Sequence, residues 1–326
     1  MENRISGVGV ALVDFKILNP LIELPQHRKE LPDFLDGYLG KSKISPGGTV
    51  SNILSTFIQF YSEQPVRLFY AVGDDLRGRM YTQQTDKRLG KPQVISGKPT
   101  GLWVTIKDGS RIIKGLSYYG AAKEVVVPAD ELLTNRNVLF VADITGCKIP
   151  HVLSEIGHFL AQVDQDNGIF ALNMGGAKPG RVTRDDLRTI INGLTLPPQI
   201  IFANESEITL LADTRDKDTY MKFPFLKNKL LVVTRGNQNV LIRFGNFFLE
   251  IPVIPIPNKN ILDEEGAGDA FMGIMLADLM KRPFEIWTVE DIARSAKIAV
   301  FGASLIMQTN NSRMTQKQVD TVKQQL

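Results

Sequence analysis

The chain has 326 residues, of which 43% are hydrophobic and 22% charged, a composition typical of a globular protein with a large core. The 38 Lys and Arg residues exceed the 35 Asp and Glu residues by three, and this near balance argues against a nucleic-acid or lipid surface. One cysteine excludes an intramolecular disulfide and a thiolate metal cluster. Neither a signal-peptide pattern nor a 20-residue apolar span is present, so we expect a cytoplasmic protein that does not bind membranes.

Short runs that are apolar at nearly every position alternate along the chain with segments of helical spacing. The predicted strands are 7–13, 66–72, 137–142, 168–173, 199–203 and 229–234. The predicted helices between them include 50–62, 150–164 and 183–192. Strands buried on both faces and separated by helices predict a parallel sheet that is covered by helices on both sides.

Two segments, 14–45 and 90–124, interrupt this pattern with short alternating runs. Within the second, an Asp-Gly turn joins the alternating runs 102–107 and 111–118, which is a strong hairpin signal. We therefore predict a small antiparallel β element beside the main sheet. A second hairpin is predicted from 240 to 252.

The strongest chemical signal is the segment Asp263-Glu264-Glu265-Gly266-Ala267-Gly268-Asp269, which precedes an apolar helix. A glycine-rich turn at a helix start presents unpaired backbone N–H groups, and the helix dipole also favours an anion there. Asp269 lies in the same turn, where it could accept a proton from an attacking hydroxyl group. The structural alternative is an ordinary capped turn.

Other candidates lie at the ends of predicted elements. Gly47 and Gly48 open a helix and permit close approach to the backbone, and Asn52 follows one turn later with a donor and an acceptor. Asp14 ends the predicted strand 7–13, at the edge where open α/β sheets bind ligands. A tight turn with a helix cap explains the two glycines equally well.

Two further predicted strands end in polar residues. Asn204 and Glu207 follow the strand 199–203 and also suit a helix cap and first-turn charge. Thr234 and Gly236 follow the strand 229–234, where they either turn the chain or line a nucleotide site.

In this order, the motifs resemble those of the ribokinase-like (PfkB-type) family of carbohydrate and nucleoside kinases. The resembling segments are Gly47-Gly48 with Asn52, Val72-Gly73-Asp74-Asp75 with Gly78, Asn204 with Glu207, Thr234 with Gly236, and Gly266-Ala267-Gly268-Asp269. They span nearly the whole chain, which is far more specific than any single glycine-rich turn.

The resemblance implies a ribokinase-like three-layer α/β/α fold with a mostly parallel central sheet and a small β-sheet lid. It implies one kinase domain over residues 1–326, with a lid formed by about 14–45 and 90–124. The implied activity is transfer of the γ-phosphoryl group of ATP, with Mg²⁺, to a primary hydroxyl of a furanose or similar polyol. Many members also bind a monovalent cation next to the loop that begins at Asp263, and members are monomers or homodimers.

Carried over by position, the resemblance also implies roles for individual residues. Asp269 is the implied base, with the amides of Gly266, Ala267 and Gly268 as the anion hole. Asn204 and Glu207 are implied to organise Mg²⁺ and the phosphates, with Glu207 nearest the metal. The remaining implied contacts are Thr234, Gly236 and Gly268 with ATP, and Asp14, Gly47, Gly48 and Asn52 with the acceptor.

Glu264 and Glu265 depart from the family pattern, which usually has Thr or Asn there. Carboxylates beside a phosphate cradle repel phosphate unless they point away. The lid segments are similar to those of adenosine-kinase-like members. The aromatic side chains of Trp103, Tyr118 and Tyr119 suit stacking on a purine, and the structural alternative is that they only pack within the β element. We therefore favour a nucleoside acceptor such as adenosine over a sugar such as ribose or fructose. A non-catalytic binding module on the same fold is the alternative of another class.

Overall fold

A computed structural model of the chain describes residues 3–18, 21–38, 42–61, 65–108, 111–133, 136–177, 182–222 and 230–325. Its main sheet has eight strands in the order β14-β13-β12-β11-β10-β9-β1-β4. These strands are β1 (Asn3–Val8), β4 (Val66–Phe69), β9 (Arg136–Asp143), β10 (Ile169–Asn173), β11 (Ile200–Asn204), β12 (Leu230–Arg235), β13 (Gln238–Phe244) and β14 (Phe247–Ile251).

The strands from β4 to β12 are parallel, and β13 and β14 add the second predicted hairpin antiparallel at one edge. Each predicted strand from 137 to 234 is found within two residues of its predicted bounds where the structure describes it. The predicted run 66–72 is divided between β4 and a short strand β5 (Ala71–Gly73). Residue 229, at the start of the last predicted parallel strand, lies outside the described residues.

Helices cover both faces of the main sheet. The helices are α1 (Leu31–Asp36), α2 (Thr49–Phe60), α3 (Leu76–Gln84), α4 (Ala129–Leu133), α5 (Ile144–Cys147), α6 (Pro150–Gln165), α7 (Arg184–Asn192), α8 (Glu205–Ala212), α9 (Lys217–Met221), α10 (Ala267–Leu279), α11 (Val289–Met307) and α12 (Gln316–Lys323). Burial on both faces explains why the middle of β9, residues 138–142, is apolar at every position. Leu139 and Val141 pack into the layer with α2, α10 and α11, and Phe140 and Ala142 into the layer with α6.

A second, smaller sheet has the order β3-β2-β7-β8. Its strands are β2 (Val13–Ile17), β3 (Lys43–Pro46), β7 (Leu102–Asp108) and β8 (Arg111–Tyr118). The predicted hairpin is the antiparallel pair β7 and β8, whose turn at 109–110 lies outside the described residues. The sheet is mixed rather than purely antiparallel, because β2 and β7 pair in parallel. Strand β6 (Gln93–Ile95) pairs with β5 instead.

The prediction of one strand over 7–13 is wrong. The main-sheet strand β1 ends at Val8, the chain crosses to the small sheet, and Asp14 is the second residue of β2. Every residue from 4 to 16 is buried. The apolar run therefore crosses the break without a polar residue to mark it, and hydropathy alone could not locate the change of sheet.

Candidate functional site

A cavity of about 490 Å³ lies between the carboxyl ends of the parallel strands and the small sheet. It is lined from both sheets and from the starts of α2 and α10. Nine of the predicted site residues line it: Asp14, Gly48, Asn52, Asn204, Glu207, Thr234, Gly266, Gly268 and Asp269. Gly47, Gly236 and Ala267 are not among the lining residues.

Helix α10 begins at Ala267, and no side chain caps its N-terminus. Its N-cap residue, Gly266, has φ +84°, and the Ser312 backbone lies where a Cβ would stand, so only glycine fits. A Cβ on Gly268 would meet no atom within 4 Å, which leaves open space beside the second helical residue. Gly266 and Gly268 at this helix start line a cavity that has room for an anion, whereas Ala267 N donates to the Glu264 carbonyl oxygen at 3.4 Å.

Asp269, in the first turn of α10, is held by side chains from distant parts of the chain. Asn52 Nδ2 donates to Asp269 Oδ2 at 3.0 Å, and Arg313 Nε donates to Asn52 Oδ1 at 3.1 Å. Burial raises the pKa of Asp269 to about 7, although the Asn52 hydrogen bond opposes the shift. A carboxyl group with this pKa is suited to accept a proton near neutral pH.

The glycine pair at the start of α2 has a structural cause as well. Gly48 has φ +92°, and a Cβ there would overlap the Val10 carbonyl oxygen. A Cβ on Gly47 would overlap the Asp14 carboxylate, so Gly47 is the residue against which Asp14 packs. Asp14 is 6% exposed, and burial, followed by the charge of Glu265, raises its pKa to about 8.

The neighbouring strands β11 and β12 each end in a polar residue that lines the cavity. Asn204 and Thr234 are register partners at the ends of β11 and β12. Asn204 also caps α8: its Oδ1 accepts from Glu207 N at 3.0 Å, and Glu207 Oε2 accepts from Asn204 N at 2.9 Å. Asn204 and Glu207 therefore form the cap of α8 and also line the cavity. Gly236 lies in the turn after β12 with φ +61°.

A model of the pfkB family of carbohydrate kinases matches residues 24–318 of the chain. The chain belongs to this family. A cytidine kinase from Thermococcus kodakarensis is 38% identical over 104 residues, which are 31% of this chain and 36% of that protein. Fructokinase-1 from Zea mays is 29% identical over 245 residues, 70% of this chain and 72% of that protein. The adenosine kinase structure from Sinorhizobium meliloti superposes with a TM-score of 0.80 at 17% identity, over 100% of both chains.

These findings confirm the family and the ribokinase-like three-layer fold that the motifs predicted. PfkB family members are phosphotransferases that act on a hydroxyl group, which confirms the predicted class of enzyme. No described helix is long and apolar enough to cross a membrane.

Sequence reasoning missed several residues of this candidate site. Asp143 and Asn173 are register partners at the ends of β9 and β10, and both line the cavity, as does Lys148. Burial raises the pKa of Asp143 to about 6. The rule that identified Asn204, a polar residue at the carboxyl end of a predicted strand, would have found Asp143 and Asn173. No local pattern identifies Arg313, which lies 261 residues from Asn52.

The family implies Mg²⁺, and the cavity has side chains that suit it. Within the described residues, no three His, Cys, Asp or Glu side chains form a group that could hold a metal alone. Mg²⁺ in kinases needs only one or two carboxylates, with water and phosphate completing its shell. After burial, the charges of Asp143 and Glu207 are the main causes that raise the pKa of Asp269, so a cation among the three would relieve repulsion.

The two unusual glutamates of the signature segment lie in different surroundings. Glu265 Oε1 accepts a hydrogen bond from Trp103 Nε1 at 2.9 Å, and Glu265 Oε2 lies 3.3 Å from Lys16 Nζ and 3.1 Å from Lys107 Nζ. Glu265 also lines the cavity, and its charge is compensated by these two lysines of the small sheet. Glu264 is exposed at the cavity rim.

Two of the three predicted aromatic residues line the cavity. Trp103 packs its ring over Gly115 of the neighbouring strand, where a Cβ would lie 2.5 Å from the ring. Tyr119 follows β8 and lines the cavity with Trp103, whereas Tyr118 is not a lining residue. The same wall includes the apolar side chains of Val10, Leu12 and Ile112.

Proposed function

We propose that the chain transfers the γ-phosphoryl group of ATP to a primary hydroxyl of a ribonucleoside, with Asp269 as the general base. The observation that carries this proposal is the position of Asp269. It lies in the first turn of an uncapped helix, at a cavity shared by both sheets, and its pKa of about 7 suits proton transfer.

In the proposed reaction, Asp269 accepts the proton of the acceptor hydroxyl as that oxygen forms a bond to the γ-phosphorus. The bond from the γ-phosphorus to the bridging oxygen breaks, and ADP leaves. The amides of Gly266, Ala267 and Gly268 stabilise the negative charge of the transferring group, since they need no reorganisation at that moment. Asn52 orients the base through its 3.0 Å hydrogen bond.

The nucleotide side of the proposed site is the row of strand ends. Asn204 and Thr234 would contact ATP, with Gly236 in the following turn and Gly268 at the phosphates. Glu207, with Asp143 nearby, would hold Mg²⁺ directly or through water, and the metal would offset phosphate charge. The small sheet is proposed as the lid that excludes water, since hydrolysis of ATP competes with transfer.

The wall of the cavity on the small sheet favours a nucleoside over a bare sugar. A sugar presents hydroxyl groups around its ring, whereas this wall combines Trp103 and Tyr119 with aliphatic side chains, which suit a flat, apolar base. Asp14, the register partner of Trp103, lies beside the aromatic wall, and Gly48 and Asn52 lie at the start of α2. These three residues suit the ribose hydroxyls, and Gly47 supports Asp14. A cytidine kinase and an adenosine kinase are among the similar proteins, and the maize fructokinase supports a sugar as the second candidate.

The experiment is ADP release from ATP and Mg²⁺ with a panel of acceptors: cytidine, adenosine, other ribonucleosides, ribose and fructose. We expect turnover with at least one nucleoside and much less with either sugar. Asp269→Asn should lower kcat by about 10²- to 10⁴-fold, the usual contribution of a general base, and still bind ATP. Isothermal titration with ATP analogues checks the binding.

Two outcomes separate the candidate functions, and a third tests the role of Asp269. Turnover with fructose or ribose alone would select the sugar kinase, and turnover with no acceptor together with ligand binding would select the non-catalytic module. An Asp269→Asn variant that phosphorylates its acceptor at the wild-type rate would remove Asp269 from the mechanism. Asp166→Asn is the matched control, because Asp166 follows α6 far from the cavity lining.

A further inference from the structure

Two lysines of the small sheet bury their ammonium groups against the signature segment. Lys16 on β2 is 5% exposed and Lys107 on β7 is 2% exposed. Lys16 Nζ donates to Asp263 Oδ2 and Lys107 Nζ to Asp263 Oδ1, each at 2.5 Å. The same two ammonium groups lie within 3.3 Å of Glu265 Oε2. Two positive and two negative side chains thus form one neutral cluster.

The Asp263 carboxylate is fully engaged by these contacts. It is 1% exposed, and Oδ1 also accepts from Glu265 N at 3.0 Å. Burial alone would raise the pKa of Asp263, but the hydrogen bonds from Lys107 and Lys16 outweigh it and lower the pKa. Buried lysines are rare unless they are paired, so both partners depend on the cluster for their charge.

The family resemblance implies a monovalent cation next to the loop that begins at Asp263, and the residues present do not fit one. A bound cation needs several oxygen ligands with negative or partial negative charge. Here the Asp263 oxygens are each occupied by an ammonium group, and Glu265 is held by Trp103 and both lysines. The two ammonium groups already balance both carboxylates, so no net negative charge remains here to attract a further cation.

We propose that Lys16 and Lys107 serve as the built-in cations of the signature segment, so that this protein needs no monovalent cation. The lysines neutralise the segment from the small sheet and hold it where it enters α10. They are positioning residues, since neither lines the cavity. The catalytic part of this proposal rests on the proposed kinase function, whereas the stability part does not.

The first test uses the unaltered protein and needs no catalysis. The thermal unfolding midpoint is measured in potassium, sodium and tetramethylammonium chloride at equal ionic strength, and ADP release is measured in the same three salts once an acceptor is known. We expect the same midpoint and the same rate in all three. A midpoint or rate raised specifically by potassium would overturn the proposal.

The second test is Lys107→Met, which removes the ammonium group from Asp263 Oδ1 and leaves that oxygen only the Glu265 N–H. Breaking a buried ion pair should lower the midpoint by on the order of 10 °C in tetramethylammonium chloride. Potassium should recover part of that loss, because the vacated position now lacks a cation. Lys114→Met, at an exposed position on β8, is the matched control and should show neither effect.

A Lys107→Met protein as stable as the unaltered chain would contradict the proposal, as would one destabilised equally in all three salts. If this variant does not fold, the salt comparison on the unaltered protein still decides. If the protein is inactive with every acceptor and its unfolding midpoint does not depend on potassium, the proposed kinase function is refuted. The proposal that the two lysines replace a monovalent cation then still stands. The two failures are therefore distinguishable.

Discussion

Asn52 holds Asp269 through its side-chain amide, and a hydrogen bond from Arg313 fixes the orientation of that amide. Because Arg313 Nε donates to Oδ1, the Nδ2 side of the amide is turned to Asp269, and Arg313 is anchored in addition by Ser51 Oγ at 2.8 Å. The motif with Asn52 predicted a contact with the acceptor. The structure also assigns Asn52 a role in orienting a carboxylate, which follows from a contact across 217 residues and from no local pattern.

The pH dependence of activity should report this arrangement. The pKa of Asp269 is about 7, raised chiefly by burial and lowered by Asn52 and by the Arg313 charge. Below that pH the carboxyl group is protonated and cannot act as a base, so kcat/KM should fall about tenfold for each pH unit below 7. Arg313→Met should move this limb to higher pH, whereas Arg313→Lys, which keeps the charge, should move it less. The measurement is kcat/KM from pH 5 to 9, and an Arg313→Met limb at the wild-type position would contradict the assignment.

At the scale of elements, two closely packed helices bring the site together. Asn52 is in the first turn of α2 and Asp269 in the first turn of α10, and a Cβ at Gly273 of α10 would lie 2.6 Å from the Ile53 carbonyl oxygen. A backbone atom cannot move aside as a flexible side chain can. Gly273 therefore sets the distance between the helices and, through it, the distance between the two side chains.

Gly273→Ala should therefore destabilise the protein, although replacing a glycine inside a helix by alanine usually stabilises the helix. We expect overpacking to lower the free energy of unfolding by about 1–3 kcal/mol and to weaken the Asn52–Asp269 contact, so that kcat also falls. Gly157→Ala on α6 is the control, because a Cβ there would meet nothing within 4 Å and should stabilise the helix by about 0.5–1 kcal/mol. Urea unfolding of both variants measures the difference. Equal stability changes would show that the helix contact is not tight.

The elements differ in how well the sequence indicated them. Continuous apolar runs identified β9 to β12 because such runs are needed wherever helices cover both faces. The same property concealed the break between β1 and β2, where apolar residues continue from one sheet into the other. The parallel pairing of β2 with β7 joins residues about 90 positions apart, and no turn signal indicates such a pair.

At the scale of the whole molecule, the cavity belongs to neither sheet alone. The main sheet supplies the strand ends and the helix starts, and the small sheet supplies the aromatic wall. The motifs predicted most of the main-sheet side, since those residues follow strands directly. They did not predict Lys16 and Lys107, because a lysine in an alternating strand is usually exposed and only the packing of the small sheet on the signature segment buries these two.

Tryptophan fluorescence can show whether the base of a nucleoside acceptor contacts the small sheet. The chain has two tryptophans, Trp103 at the cavity and Trp287, which is 5% exposed and donates to the Arg282 carbonyl oxygen at 3.1 Å. In a Trp287→Phe variant we expect a nucleoside acceptor to quench Trp103 emission, since a stacked base changes its surroundings. Trp103→Phe, which keeps only Trp287, should not respond. An unchanged Trp103 signal with an acceptor that is phosphorylated would show that the base does not reach this wall.

The cluster of Lys16 and Lys107 with Asp263 also bears on the order in which the chain is completed. Lys16 is separated from its carboxylate by 247 residues and Lys107 by 156. During synthesis, both lysines therefore leave the ribosome long before Asp263 is made. Until then they stay exposed to water, because burying an unpaired ammonium group is energetically unfavourable. The two sheets can take their final arrangement only after Asp263 and Glu265 have emerged, so a product truncated before Asp263 lacks the acidic groups that bring the small sheet into place.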